Sequence, residues 1–325
     1  MKERVLELLA EKEGNYISGS EISRRLGISR TAVWKHINTL RQEGYQIDSQ
    51  TNRGYLLIKS PDLLLPQEIK RGLASCRFGQ EIIYLERVDS TNQKAKELAV
   101  QGREEGMVVI AEEQLEGRGS LGRSWSSPKG KGLWFSLILR PPISPLDTPK
   151  LTLVAAVALA KAVKRFAGID LKIKWPNDLL YGKRKVAGIL TELAAEFGQV
   201  DYVIVGIGIN VNLTDSDYPE ELKETAGSLK MITGKTYNRA ELLRVILLEL
   251  ERAYFTYLNE GFAPIRSDWC TLAGTLQTRV RITDRNGSFE GIAEKLDEEG
   301  RLLVRLPDNT IRAVLAGEVN LLGER

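Results

Sequence analysis

Apolar positions in the first sixty residues recur at helical spacing three times before the pattern changes. Val5, Leu6, Leu8 and Leu9 predict a short amphipathic helix. Ser18-Gly19-Ser20-Glu21 has the form of a capping box, with Ser18 as N-cap and Glu21 at N3. It precedes a helix whose apolar face is Ile22 and Leu26 and which Gly27 stops. Ser29 is placed to cap a third helix, where Val33, Ile37 and Leu40 fall at i, i+4 and i+7 and face inward. That leaves Arg30, Thr31, Trp34, Lys35 and Asn38 on the outer side. Residues 45–47 and 54–58 bracket Thr51-Asn52-Arg53-Gly54 and predict a hairpin. Helix, glycine turn, basic-faced helix and hairpin together predict a winged helix-turn-helix over 1–60, with DNA contacts from Ser29, Arg30, Thr31, Trp34, Lys35 and Arg53. On pattern alone, a three-helix interaction domain with a solvated charged face is the alternative.

Lys59-Ser60-Pro61-Asp62 reads as a linker, because proline ends what precedes it and nothing periodic bridges it. Residues 66–73 predict a short helix with Pro66 at its first position. From Glu81 the pattern mixes strands (82–85, 107–111, 133–139, 171–175, 186–193 and 202–209) with helices (93–100, 151–166, 239–258 and 264–272). Strands outnumber a regular βαβ alternation, so the expected fold is α+β with a mixed or largely antiparallel sheet over 61–274, and no Rossmann arrangement. From Leu276 four short strands are expected (277–282, 288–294, 301–306 and 310–314). Asn286-Gly287, Glu299-Gly300 and Asp308-Asn309 punctuate them, which predicts a small β-barrel over 275–325.

Charge sharpens the first of these domains. The first sixty residues carry ten Lys/Arg against seven Asp/Glu, while the remaining 36 of each cancel. The whole net charge of +3 therefore lies in the segment expected to meet a polyanion. The longest apolar run, around 151–160, is interrupted by Thr152 and closed by Lys161, so no membrane span is expected. Met1-Lys2-Glu3-Arg4 has no apolar signal core, and Cys76 and Cys270 have no metal-ligand spacing; a cytoplasmic protein with reduced thiols is expected. His36 is the single histidine, which leaves no Ser-His-Asp triad or multi-histidine zinc site to carry chemistry elsewhere.

Four polar clusters interrupt the central strands. The first is Asp89-Ser90-Thr91-Asn92. The second, Gly117-Arg118-Gly119-Ser120-Leu121-Gly122-Arg123, lies between two apolar strands and is followed by Ser124-Trp125. Its three glycines allow close approach of backbone to an anion, and its two arginines can grip one. The third is Lys174-Trp175-Pro176-Asn177-Asp178, with Lys183-Arg184-Lys185 just after it. The fourth, Gly206-Ile207-Gly208-Ile209-Asn210, puts glycines inside a strand and suggests close approach of a ligand or another backbone. No GxxxxGK[ST] loop occurs, so a nucleotide would bind by another device. Singly each cluster also reads as a helix cap, a turn or a solvated hairpin tip.

In this order, DSTN, Gln114, GRGxxGRxW, KWPNDL, KVAGIL and GIGIN resemble the biotin–protein ligases. With the winged helix in front, the resemblance is to the bifunctional biotin–protein ligase and biotin-operon repressor family, over nearly the whole chain. It implies a class II synthetase-like catalytic domain, an SH3-like C-terminal barrel, and two steps in one site. Biotin and ATP with Mg²⁺ give biotinyl-5′-adenylate and pyrophosphate, then a lysine of a biotin carboxyl carrier protein (of acetyl-CoA carboxylase or a related carboxylase) takes the biotinyl group and releases AMP. Carried over, Ser90, Thr91, Asn92 and Gln114 bind biotin, with Gly117, Arg118 and Gly119 against biotin and the adenylate. Arg123 reaches phosphate, Trp125 packs on adenine, and Asn210 hydrogen-bonds it. Lys185 bridges the reacting carboxylate and α-phosphate, and Asp178 places the metal or the attacking lysine. Such fixed cations suit a step that unites two anions and needs no protein nucleophile.

The same resemblance implies operator DNA as a partner and a homodimer on it, with the sheet edge near residues 188–193 as the candidate contact. Where many members carry arginine, this chain has Ser120. That arginine is associated with retaining the adenylate, so weaker retention is expected unless Lys129 or Lys131 compensates. A ligase without repressor activity, a lipoate–protein ligase and a non-catalytic ligand sensor are the competing functions.

Overall fold

The computed structural model describes residues 1–12, 14–71, 73, 76–284 and 287–322. Met1–Leu63 form one compact unit and the remainder, from Leu64, a second.

In the first unit, α1 (Lys2–Glu11), α2 (Gly19–Leu26) and α3 (Arg30–Gln42) close over Val5, Leu9, Ile17, Ile22, Val33, Ile37 and Leu40. Half of the expected capping box forms. The Ser18 hydroxyl accepts the Glu21 amide at 3.1 Å, but the Glu21 carboxylate turns to Arg25 at 2.8 Å, one helical turn on. Gly27 ends α2 in the left-handed region at φ 66°. Strands β1 (Gln46–Gln50) and β2 (Gly54–Lys59) pair antiparallel as the expected hairpin. Ile17 and Tyr55 exchange two 2.9 Å backbone bonds, which fasten the hairpin to the helices. Gly54 permits this: its φ is 105°, and a Cβ there would stand 2.1 Å from the Ile17 carbonyl oxygen.

The second unit opens with the five-residue α4 (Pro66–Lys70), then β3 (Ile82–Val88), α5 (Thr91–Val100), β4 (Val108–Gln114) and β5 (Gly132–Leu139). After α6 (Thr148–Ala167) come β6 (Lys172–Lys174), β7 (Asp178–Tyr181), β8 (Arg184–Glu196) and β9 (Gln199–Asn210). These strands form one sheet in the order β3-β4-β5-β9-β8-β7-β6. Only β3 and β4 run parallel, joined by α5, so the sheet is mixed and largely antiparallel, as expected. Helices α6, α8 (Arg239–Glu260) and α9 (Phe262–Leu272) bury one face in the main core, and α7 (Leu229–Thr233) lies between β9 and α8 in the chain. Twelve side chains of α6 are buried, each large one contributing about 1.5–3 kcal/mol, so packing against the sheet fixes this helix.

Strand β7 was not expected: its four residues follow a proline turn and show no alternation. The strand expected at 171–175 ends at Lys174, because Trp175 turns into the core. There its amide donates to Thr275 Oγ1 at 2.9 Å and its indole N–H to the Gly300 carbonyl at 3.3 Å.

The C-terminal strands are β10 (Arg279–Asp284), β11 (Gly287–Leu296), β12 (Leu302–Arg305), β13 (Ile311–Val314) and β14 (Glu318–Leu321). They form one antiparallel sheet in the order β13-β12-β11-β10-β14. The fifth strand escaped the sequence reading because it is a four-residue edge. Asn286 of the expected turn lies outside the described residues.

Candidate functional site

The site is built on the face of the sheet that α5 covers only in part. Three rows run across β5, β9 and β8: Ile138–Ile204–Glu192, then Ser136–Gly206–Leu190, then Trp134–Gly208–Gly188. Ala95, Leu98 and Ala99 of α5 pack on the apolar end of this face, over Ile138, Tyr202 and Ile204. The helix begins at Thr91, so Gly206, Leu190, Gly208 and Gly188 of the next two rows are left to floor a small cavity. The side-chain period of two along a strand thus places hydrophobic packing and site on one face of β9.

The glycines of that floor serve a different purpose from the one expected. A Cβ on Gly206 would stand 2.0 Å from Asn92 Oδ1, and on Gly208 2.5 Å from Trp125 Nε1. A Cβ on Gly188 would stand 3.0 Å from the Trp125 ring. Glycine here admits two side chains of the chain itself.

Ser90, Thr91, Asn92 and Gln114 all line the cavity. Ser90 caps α5, which sets the two following residues at the helix start. Gln114, the last residue of β4, accepts from the Thr91 amide at 2.8 Å and stands 3.0 Å from its hydroxyl. The Gln114 amide donates to Ser127 at 2.9 Å. Ser136 lies 2.6 Å from Asn92 Oδ1 and 2.8 Å from Thr91 Oγ1.

Arg118, Gly119, Trp125 and Lys185 line the same cavity. The glycine–arginine stretch is itself a small hairpin, in which Trp125 N–H donates to Gly117 O at 2.8 Å and Gly119 N–H to Arg123 O at 2.7 Å. Its tip holds Leu121 at φ 58°, 73% exposed. An L-residue in that region is uncommon, and here it projects into solvent at the mouth of a wide groove. Lys185 Nζ lies 2.7 Å from Asp178 and 5.0 Å from the Trp125 ring centroid. Lys174 reaches the other Asp178 oxygen at 3.4 Å. One buried carboxylate therefore spans two lysines at the rim.

Four predicted residues lie off the cavity, the first being Asp178, which lines a wider groove beside it. Gly117 sits beneath the Trp125 carbonyl, which a Cβ would approach to 2.3 Å; its glycine is needed to close the hairpin. Arg123 is ion-paired with Glu318 of β14 and lines a wider groove between the central and C-terminal sheets. The Asn210 amide N–H₂ donates to the Gly227 carbonyl at 3.0 Å. That carbonyl also accepts from Tyr218, whose hydroxyl pKa burial pushes up. The segment so held runs beside Lys185, whose amide donates to Thr225 O at 2.6 Å and whose carbonyl accepts from Gly227 at 2.9 Å.

Sequence reasoning passed over Ser136, Ser127, Glu192 and Tyr218. Ser136 left a signal, as the single polar residue of the buried strand Gly132–Leu139; the others left none. In the first unit, Ser29, Arg30, Thr31, Trp34, Lys35 and Arg53 are all exposed. The Ser29 hydroxyl caps α3 by accepting from Ala32 at 3.1 Å, and Arg53 lies 4.5 Å over the Tyr16 ring. No group of three metal-ligating side chains occurs among the described residues. No helix among them is long and apolar enough to cross a membrane.

Fixed cations at the rim of a polar, glycine-floored cavity suit the activation of one anion by another, and the class this defines is a ligase coupled to a helix-turn-helix domain. The pattern of the Biotin/lipoate A/B protein ligase family matches residues 84–210. An HTH domain matches residues 2–56, and the Biotin protein ligase C terminal domain matches 275–322. The bifunctional ligase/repressor BirA of Bacillus subtilis (strain 168) is 43% identical over 321 residues, covering 99% of this chain and 98% of that protein. Its namesake from Escherichia coli (strain K12) is 31% identical over 322 residues, covering 98% and 96%. The biotin protein ligase from Aquifex aeolicus in complex with biotin and ATP superposes with a TM-score of 0.66 at 31% identity, covering 75% of this chain and 100% of that one. The chain belongs to the bifunctional ligase/repressor family of biotin protein ligases.

Proposed function

We propose that this protein joins biotin to a lysine of a biotin carboxyl carrier protein through biotinyl-5′-adenylate, and that the adenylate-bound form represses biotin genes by binding operator DNA as a homodimer. The observation that carries the reading is the convergence of Ser90–Asn92, Gln114, Arg118 and Lys185, distant in sequence, on one cavity. Residues 1–60 bind DNA, 61–274 carry the reaction and 275–325 complete the groove beside it.

The ring end of biotin lies with Ser90, Thr91, Asn92 and Gln114, and Gly119 lets the chain run close to it. Its carboxylate meets Lys185, which leaves Asp178 for the two anions it brings together. The carboxylate oxygen attacks the ATP α-phosphorus, pyrophosphate departs, and the carrier lysine amine then attacks the mixed anhydride and expels AMP. Arg118 neutralises charge developing at the α-phosphate; it has no carboxylate partner among the described residues. Arg123 exchanges Glu318 for phosphate, Trp125 packs on adenine, and Asn210 turns its amide oxygen to the base. Once Lys185 has left it, Asp178 keeps only Lys174 at 3.4 Å and would be the carboxylate at hand for Mg²⁺, which would offset charge on the ATP phosphates.

The dimer reading has one geometric support: Gly188 pairs with Asp178 of β7, but from Leu190 onward β8 has no strand on that side among the described residues. A second copy adding there would satisfy an open edge. Incorporation of labelled biotin into a carrier domain with ATP tests the enzyme reading. Lys185→Ala is expected to lower the rate by about 10²–10³ with the fold retained. Undiminished transfer, or preference for lipoate, would overturn it.

A further inference from the structure

We propose that Glu192 is a positioning residue for biotin, fixing the direction of the hydrogen bonds at the ring end of the cavity; this rests on the reading that the cavity takes biotin. Glu192 sits on β8 outside the cavity lining. Two residues one turn apart on α5 hold its carboxylate: Lys96 Nζ at 2.5 Å on one oxygen and Asn92 Nδ2 at 2.7 Å on the other. Asn92 Nδ2 also donates to the Leu190 carbonyl at 3.3 Å. A carboxylate and a carbonyl only accept, so the edge of Asn92 facing them is its N–H₂, and its Oδ1 faces Ser136.

The polarity then propagates. Ser136 has one proton, and Asn92 Oδ1 at 2.6 Å takes it. Ser136 can then only accept from Thr91, whose single proton turns to it from Gln114 Oε1, and both lone pairs of Thr91 Oγ1 stay open to a donor in the cavity. A cyclic urea presents N–H donors of that kind. Replacing Glu192 by glutamine keeps size and shape but lets residue 192 offer N–H₂ instead. The Asn92 amide can then turn over, giving up its 3.3 Å bond to Leu190; Ser136 sends its proton to Thr91, whose own proton goes to Gln114, and one acceptor is lost to the ligand.

Steady-state biotin transfer by the full chain, wild type against Glu192→Gln, tests this. The expected result is a biotin KM raised about tenfold, as one misdirected buried hydrogen bond costs. ATP KM, kcat at saturating biotin and thermal midpoint should stay at wild-type values. In a Ser136→Ala background Glu192→Gln should have no further effect, because the relay is already cut. An unchanged biotin KM, a parallel loss of kcat and thermal midpoint, or a full loss persisting without Ser136 would each overturn the assignment. Failure of wild type to transfer biotin at all would instead reject the reading of the cavity, and the role of Glu192 with it.

Discussion

Ser120, which stands where the family resemblance leads one to expect arginine, lines the cavity. The two lysines that could have stood in for it are engaged elsewhere, Lys129 with Glu86 and Lys131 with Asp217 at 3.2 Å. Replacing Ser120 by arginine should therefore slow adenylate release about tenfold, the scale of one charged hydrogen bond. A chase experiment giving equal off-rates would discard this. Cys76 makes a different point at the same scale. Burial, then the Glu251 carboxylate at 3.1 Å, pushes its thiol from the ordinary 9.0 up to about 12. At pH 8 the native protein should alkylate at the exposed Cys270 and leave Cys76 protected, read by mass spectrometry. Below pH 9 this thiol is protonated in both folded and unfolded chains. Above it the unfolded chain sheds a proton that the folded one keeps, so the contribution of Cys76 to stability declines as pH rises from 9 toward 12.

At the scale of elements, the buried polar contacts say which pieces must stay together. Arg239 opens α8 and reaches Glu112 of β4 at 2.8 Å, with both side chains 3% exposed or less. The same Arg239 donates to Gly132 O at 3.2 Å, and the other Glu112 oxygen accepts the Leu64 amide at 3.1 Å. Helix, two strands and the start of the unit meet at one ion pair. Arg239→Met should strand a buried carboxylate and cost about 3–5 kcal/mol in urea unfolding; a loss under about 1 kcal/mol would show the pair to be dispensable. Trp175 plays the matching part at the other end, tying the β6–β7 turn to Thr275 and Gly300. That contact was illegible in the sequence, since its partners lie 100 and 125 residues away.

For the whole molecule, the test of the repressor half is electrostatic. Operator binding should weaken steeply with salt, and Lys35→Ala should lower the slope of log K against log salt by about 1 if Lys35 holds a phosphate. An unchanged slope in a titration from low to moderate salt would remove Lys35 from the interface. The exposed faces involved were read from periodicity alone, because Val33, Ile37 and Leu40 must be inside and Trp34 and Lys35 therefore outside. The ligase half was legible in a different way: its clusters were visible as polar interruptions of apolar strands, but nothing local said that they would meet.

Local rules therefore settled the long helices, most strands, the α+β class and the identity of the polar clusters, because periodicity, caps and turns act within a few residues; the five-residue α7 escaped them. Register across β5, β9 and β8 decided the rest. It set Gly206 under Asn92 and Gly208 under Trp125, and brought Glu192 within reach of Asn92, while packing of loops and the C-terminal sheet left Arg123 with Glu318 and Asn210 with Gly227. Strand pairing over such separations is fixed by the packing of the whole sheet, and no window of the sequence contains it.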